Sequence, residues 1–227
     1  MKLNGFTYII GDIHGCAETF RYMVETKLNL TKNDELYLLG DYINRGPDSK
    51  GVIDFILHLI EEGFQVFPLR GNHEEMLLNS SRKNDFFEIW LNDAVGLKKE
   101  DKEKFSVKYL QFFKQLPLFI HLKERGLLLV HAGVDFNKKN PLQNADTILW
   151  TRVSKFNDTF PKNTILVHGH TPVPLDNVEK NLKENPLVEI NLDGGCVYKN
   201  RKGQGNLIAL NFEKMELIVV PNRGETV

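Results

Sequence analysis

One pattern constrains this chain more than any other: a short apolar run, then glycine or histidine, then side chains able to hold a cation or a phosphate. Thr7 to Ile10 leads into Gly11-Asp12-Ile13-His14-Gly15, and Glu35 to Leu39 leads into Gly40-Asp41-Tyr42-Ile43-Asn44-Arg45-Gly46. Gln65 to Leu69 precedes Gly71-Asn72-His73-Glu74, Leu127 to Val130 precedes His131-Ala132-Gly133, and Ile165 to Val167 precedes His168-Gly169-His170-Thr171. Apolar runs this short, bounded by turn residues, read as buried strands. Cys16 to Leu28 and Ser49 to Ile60 carry apolar residues at helical spacing between the first three runs. Strands alternating with helices imply parallel crossovers, and ligands bind beyond the strand C-termini of such sheets.

Residues 73 to about 124 read as largely helical, with a helical insert at about 84–124 whose lysine-rich stretch, Lys98 to Lys108, is expected to be a solvated face or loop. Val188 to Asn191, Leu207 to Phe212 and Leu217 to Val220 follow one another without room for helices. They predict an antiparallel meander closing a second sheet. The expected class is α/β with mixed sheets, in a single domain spanning 1–227.

Composition narrows the function classes. The 227 residues carry 29 basic and 30 acidic side chains, a formal net charge of -1. A dedicated binder of nucleic acid or anionic membrane would show a basic excess, so neither partner is expected. Two cysteines, Cys16 and Cys196, make no disulfide framework and are expected as free thiols. No signal-peptide core or membrane-length apolar run is present, so a cytoplasmic protein is expected. With no long heptad or repeat, a monomer is expected.

The five strand ends deliver Asp12, Asp41, Asn72 and the histidines at 14, 73, 131, 168 and 170 to one edge. Carboxylate, amide oxygen and imidazole suit Mn²⁺, Fe and Zn²⁺ better than thiophilic ions. Six such ligands exceed what one tetrahedral ion needs. They suit two divalent ions about 3.5–4 Å apart, bridged by a shared carboxylate, as in hydrolytic two-metal sites. Arg45 and Arg152 offer planar forks for phosphate oxygens. Singly, each string has an ordinary structural use, such as a helix cap at Asn72. Together and in order they point to a metal site.

The ordered set of motifs resembles the three-part signature of the calcineurin-like metallophosphoesterases. Within them it is similar to the small bacterial and phage branch of the phosphoprotein phosphatases. His131-Ala132-Gly133, Leu149-Trp150-Thr151-Arg152 and Gly169-His170-Thr171-Pro172 extend the likeness over nearly the whole chain. The resemblance implies two mixed sheets packed face to face and flanked by helices, a four-layer sandwich. It implies that Asp12 and His14 bind one metal, that Asp41 bridges both, and that Asn72, His131 and His170 bind the second. It further implies that Arg45 and Arg152 hold phosphate, that a metal-bridging hydroxide attacks phosphorus, and that His73 is the general acid.

Position 44 departs from the pattern. The family normally has Asp there, paired with the general-acid histidine; Asn44 can accept the same hydrogen bond but carries no charge. The imidazolium of His73 would then lose electrostatic support. Either a naturally specialised hydrolase or a substitution engineered to slow turnover would look this way. The expectation is that metal binding survives and that poor leaving groups suffer most.

Three functions follow. The leading expectation is a serine/threonine protein phosphatase acting on a phosphorylated protein or small phosphoester. A symmetrical dinucleoside tetraphosphate hydrolase comes next, its extra pocket and basic groups sought in the insert. A non-catalytic phosphate binder is the third. Of the remaining residues, His168 is expected to be structural or to support a ligand. His58 and His121 are expected in packing or at the surface, Cys16 as a small helix-start residue and not a nucleophile, and Phe86, Phe87, Trp90, Phe112 and Phe113 in core packing, with a lid over the site as the alternative. Glu74 and Asp146 are candidate supporting groups.

Overall fold

The computed structural model describes residues 5–80, 102–184 and 186–224. Strands β1 (Thr7–Ile10), β2 (Glu35–Leu38) and β3 (Gln65–Pro68) pair in parallel, and β8 (Asn206–Asn211) and β9 (Glu216–Pro221) add antiparallel on the other side of β1. The order is β3-β2-β1-β8-β9. A second sheet has the order β4-β5-β6-β7, from β4 (Phe119–Leu122), β5 (Leu127–Val130), β6 (Ile165–His168) and β7 (Glu189–Asn191). There β4 runs antiparallel to β5, and β5, β6 and β7 are parallel.

The period-two alternation of each strand divides its residues between two cores. Ile9, Leu39, Ile208 and Leu210 from the first sheet pack on Leu127, Leu129, Val167 and Ile190 from the second. The opposite face of the first sheet presents Tyr8, Ile10, Leu36 and Leu38 to the helices α1 (Ala17–Tyr22), α2 (Ser49–Glu61), α3 (Asn72–Ser80) and α4 (Lys102–Gln115). The opposite face of the second presents Leu128, Val130 and Leu166 to Val134, Phe136 and α5 (Ala145–Trp150). Strands covered on both faces must be apolar throughout, which is why their sequences show no polar alternation. The result is the face-to-face pair of mixed sheets flanked by helices that the sequence resemblance implies.

Local chemistry fixes the helix starts. The Asp48 carboxylate caps α2 by accepting from Gly51 N–H at 2.7 Å. Val52, Ile53, Phe55, Ile56 and Leu59 then bury one face of that helix. At the sheet edge opposite the strand C-termini, Arg125 donates to Thr7 Oγ1 at 2.9 Å and pairs with Glu35, tying the second sheet to the first.

Three expectations are corrected. No antiparallel meander closes the second sheet: β8 and β9 form a hairpin on the first sheet, while β7 joins the second in parallel. The helical reading of residues 73 to 124 fails at 119–122, where β4 forms an edge strand of four half-buried residues. The helix expected over Cys16 to Leu28 is α-helical only over Ala17–Tyr22 and continues as a π-turn over Met23–Lys27. Within the expected insert, 84–101 lies outside the described residues, including Phe86, Phe87 and Trp90. No helix among the described residues is long and apolar enough to cross a membrane.

Leu129 is fully buried between the sheets. Leu129→Ala should cost about 2–5 kcal/mol, the range for a core Leu truncation, measured by denaturant unfolding. Phe67→Ala on the edge strand β3, where the ring is 37% exposed, should cost clearly less.

Candidate active site

The loops leaving β1, β2 and β3 meet those leaving β5 and β6, and they interlock backbone to backbone. His14 N–H donates to the Asp41 carbonyl at 2.8 Å and Gly15 N–H to the Tyr42 carbonyl at 2.9 Å. A Cβ on Gly46 would lie 2.1 Å from the His14 carbonyl, so only glycine permits this approach. The fully buried Glu74 carboxylate accepts from the N–H groups of Gly71, Asp41 and Tyr42, each at 2.9 Å. It fixes the second loop onto the third, so Glu74 is a supporting residue, as expected. Asp146 is not: it lies exposed in the first turn of α5.

Asp41 sits at the middle of the donor cluster. Its Oδ2 lies 3.4 Å from His14 Nε2 and 3.9 Å from His73 Nε2, and its Oδ1 lies 3.4 Å from His131 Nε2. Two triads therefore share it, His14-Asp41-His73 and Asp41-His131-His170, each with ligand atoms within 4.8 Å of one another. Asn72 opens α3, and its Oδ1 lies 2.8 Å from His131 Nε2 and 3.0 Å from His170 Nδ1. Asp12 Oδ2 is 3.9 Å from His14 Nε2, and its carboxylate accepts from His170 N–H. His73 Nδ1 lies 2.9 Å from Asn44 Oδ1, and Arg45 Nη1 lies 2.7 Å from His14 Nε2. Arg152 stands further out, on a cleft of about 270 Å³ that it lines with Val153, His168 and Asn191. Trp150, 44% exposed, stands nearly perpendicular to the His170 ring with centroids 6.3 Å apart.

A family model described as calcineurin-like phosphoesterase matches residues 7–201. This chain belongs to the calcineurin-like phosphoesterases. Among curated relatives it is similar to a bis(5'-nucleosyl)-tetraphosphatase PrpE, asymmetrical, of Oceanobacillus iheyensis, 26% identical over 95% of this chain and 92% of the relative. The protein of that name from Bacillus cereus is 27% identical, covering 94% and 93%. A crystal structure given provisionally as a diadenosine tetraphosphatase superposes with a TM-score of 0.69 at 23% identity, covering 98% and 96%. A Saccharomyces cerevisiae serine/threonine phosphatase superposes at 0.64 with 15% identity, covering 96% and 80%. At those identities the two structures speak for the fold alone.

A calcineurin-like phosphoesterase implies metal ions, and the donor set fits them. His14 Nδ1 must donate to the Ile43 carbonyl at 3.0 Å and His131 Nδ1 to the Leu39 carbonyl at 2.9 Å, because a carbonyl only accepts. In the neutral rings, both Nε2 atoms are then lone pairs. The lone pair of His131 faces the Asn72 amide oxygen at 2.8 Å, two acceptors with no proton between them, a pairing that a cation held by both makes favourable. The lone pair of His14 faces the Arg45 guanidinium instead, a cation already drawn to that place. Such orienting of a ligand imidazole through its second nitrogen is common in metal sites.

Burial sets the electrostatics. It pushes Asp41 up to about 7, and it raises Asp12 well above the usual carboxylate range with the charges of Asp193 and Asp41 adding to the effect. Burial, then the Asp41 charge, pushes Glu74 up to about 8. Burial pushes His131 down to about 3, and burial followed by the Arg45 charge does the same to His73. These carboxylates repel one another until divalent charge arrives, and the histidines stay neutral and ready to ligate.

Asp193 escapes the sequence reading. It is fully buried, its Oδ1 accepts from Gly195 N–H at 2.9 Å, and its Oδ2 has no partner among the described residues. Burial and the Asp41 charge push it up to about 7. A signal was present in Asn191-Leu192-Asp193-Gly194, an Asp beside glycine just past an apolar run, although the order is the reverse of the Gly-Asp in the other loops. His168 holds the β6 loop as a supporting residue, with Nδ1 3.0 Å from the Gly169 carbonyl and Nε2 3.2 Å from Glu189. His58 is exposed and His121 half-buried on β4, away from the cluster. Cys16 and Cys196 are both buried thiols, not joined in a disulfide.

Acids with raised folded pKa values favour the folded state at low pH and disfavour it as pH rises through the folded values, about 7 for Asp41 and Asp193 and about 8 for Glu74. The imidazoles oppose this only below about 6.5. Metal-free protein should therefore lose thermal stability between about pH 6.5 and 8.5, and the rise in Tm on adding Mn²⁺ should be larger at the higher pH. Gly169→Ala should shrink that rise at both pH values, since its Cβ would lie 2.0 Å from Asp12 Oδ1.

Proposed function

We propose that this chain hydrolyses the phosphoanhydride chain of dinucleoside tetraphosphates, cleaving unequally into a nucleoside monophosphate and a nucleoside triphosphate. The observation that carries the reading is the partner of His73. Its Nδ1 proton is taken by Asn44 Oδ1, a neutral acceptor at 2.9 Å. Nε2 is then a lone pair, and no carboxylate at position 44 supports the imidazolium that a general acid requires. An alkoxide leaving from a phosphoserine needs that proton. A phosphate leaving from an anhydride does not, because it is a weak base whose second pKa is about 6. The names of the curated relatives support this reading, and they favour asymmetrical over the symmetrical cleavage expected from sequence. The protein-phosphatase expectation has only a likeness of fold behind it.

In this reading Asp12 and His14 hold one divalent ion, Asn72, His131 and His170 hold the other, and Asp41 serves both. The oxygen and nitrogen donors suit Mn²⁺, with Fe or Zn²⁺ as alternatives. Bound there, the ions supply charge neutralisation at phosphate oxygens and a more acidic water. Arg45 and Arg152 clamp the remaining phosphate oxygens with their planar forks. His73, beside His14 at a centroid distance of 4.8 Å, accepts or orients a hydrogen at Nε2 rather than delivering one. We take the chain, 1–227, as one catalytic unit.

The test is a Mn²⁺-supplemented panel of diadenosine tetraphosphate, a phosphoserine peptide and p-nitrophenyl phosphate, with products separated by chromatography. Diadenosine tetraphosphate should give the highest kcat/KM and yield AMP and ATP in equal amounts. Preference for the phosphopeptide would overturn the reading. ADP as sole product would overturn the asymmetry.

A further inference from the structure

The loop joining β7 to β8 takes no part in the chemistry above, yet it is built to meet an anion. Between Gly195 and Gly205 it carries Lys199, Arg201 and Lys202 and no acidic residue, and all three cations are exposed. It is not a slack surface loop. Tyr198 N–H donates to the Gly195 carbonyl at 2.7 Å, Arg201 N–H to the Tyr198 carbonyl at 2.9 Å, and Gly205 N–H to the Gly195 carbonyl at 3.0 Å. Gln204 Nε2 donates to the Pro172 carbonyl at 3.2 Å, tying the loop to the one that carries His170.

The half-buried Tyr198 ring links this loop to the metal-ligand cluster. The Arg201 guanidinium carbon lies 3.8 Å from the ring centroid and that of Arg45 lies 5.8 Å from it. Arg45 in turn reaches His14 Nε2 at 2.7 Å. Cation–π attraction holds each guanidinium on the ring, but the two positive charges repel one another. The arginine–carboxylate pairs among the described residues involve Arg21, Arg70, Arg125 and Arg223, and neither Arg45 nor Arg201. Two forks without a carboxylate, arranged outward from the phosphate site on one aromatic platform, match a chain of linked phosphates. A monoester has no second phosphate to reach the outer fork.

We propose that Arg201, positioned by Tyr198, binds the phosphates of a polyphosphate chain beyond the one attacked, and so selects polyphosphates over monoesters. The inference rests on the anhydride-hydrolase reading and adds to it the element that recognises the chain.

The experiment measures kcat/KM for diadenosine tetraphosphate and for p-nitrophenyl phosphate in the parent, Arg201→Gln, Tyr198→Leu and Tyr198→Phe, with Mn²⁺ in excess. Losing one charge-assisted contact should lower the ratio of the two values roughly 10- to 100-fold in Arg201→Gln. Tyr198→Leu should lower the ratio in the same direction, and Tyr198→Phe, which keeps the ring, should restore it. An unchanged ratio in Arg201→Gln overturns the proposal. Inorganic tripolyphosphate and orthophosphate, used as inhibitors of p-nitrophenyl phosphate hydrolysis, separate this failure from failure of the anhydride reading. If the parent does not cleave diadenosine tetraphosphate, the anhydride reading fails. A tripolyphosphate inhibition constant that rises in Arg201→Gln more than that of orthophosphate then still supports the role of Arg201, and equal changes refute it.

Discussion

The carboxylate of Asp41 is the constraint on which the rest of the site depends. Its two oxygens face different imidazoles, His14 and His73 on one side and His131 on the other. Holding it there takes a residue at positive φ, +53°, and the backbone N–H of that same residue donating to Glu74. A buried carboxylate in such a place is costly alone, and the cost falls when it takes up a proton at low pH or when cations neutralise it at higher pH. The fold therefore makes a site that is unfavourable as protein alone and favourable with metal.

The sandwich explains how one residue can serve two triads. His14 and Asp41 come from the first sheet and His131 and His170 from the second, and the packing of Ile9 and Leu39 against Leu129 and Val167 sets the distance between them. Cores of this density deform little, so donor positions are fixed before any ligand binds. Arg125 fastens the two sheets at the far edge. At the catalytic edge the ties between the sheets are made by the site's own groups, His131 Nδ1–H to the Leu39 carbonyl and His170 N–H to the Asp12 carboxylate.

Much of this was legible in the sequence, for identifiable reasons. Runs such as Leu127 to Val130 are apolar at every position because both faces are covered, and glycine after a strand marks backbone in close contact, as at Gly11 and Gly40. The six expected metal ligands, with Asn44, Arg45 and His73, gather at one place. Sheet membership was not legible: nothing local to Leu207 tells it to pair with β1 rather than with β7, since that choice is made by contacts far apart in sequence. The strand β4 was hidden because Phe119–Leu122 is a short edge strand directly after a helix. Arg201 was hidden because a lysine- and arginine-bearing loop looks like any solvated surface until its stacking on Tyr198 is seen.

The central claim is that a neutral Asn44 leaves His73 unable to supply a proton, which suits an anhydride and not an alkyl ester. The most direct measurement is the dependence of kcat/KM on leaving-group pKa across a series of aryl and alkyl phosphate monoesters, in the parent and in Asn44→Asp. The account predicts a steep fall in the parent as the leaving group becomes more basic, and a shallower fall in Asn44→Asp, where a carboxylate supports the imidazolium. Equal slopes in the two proteins would contradict it.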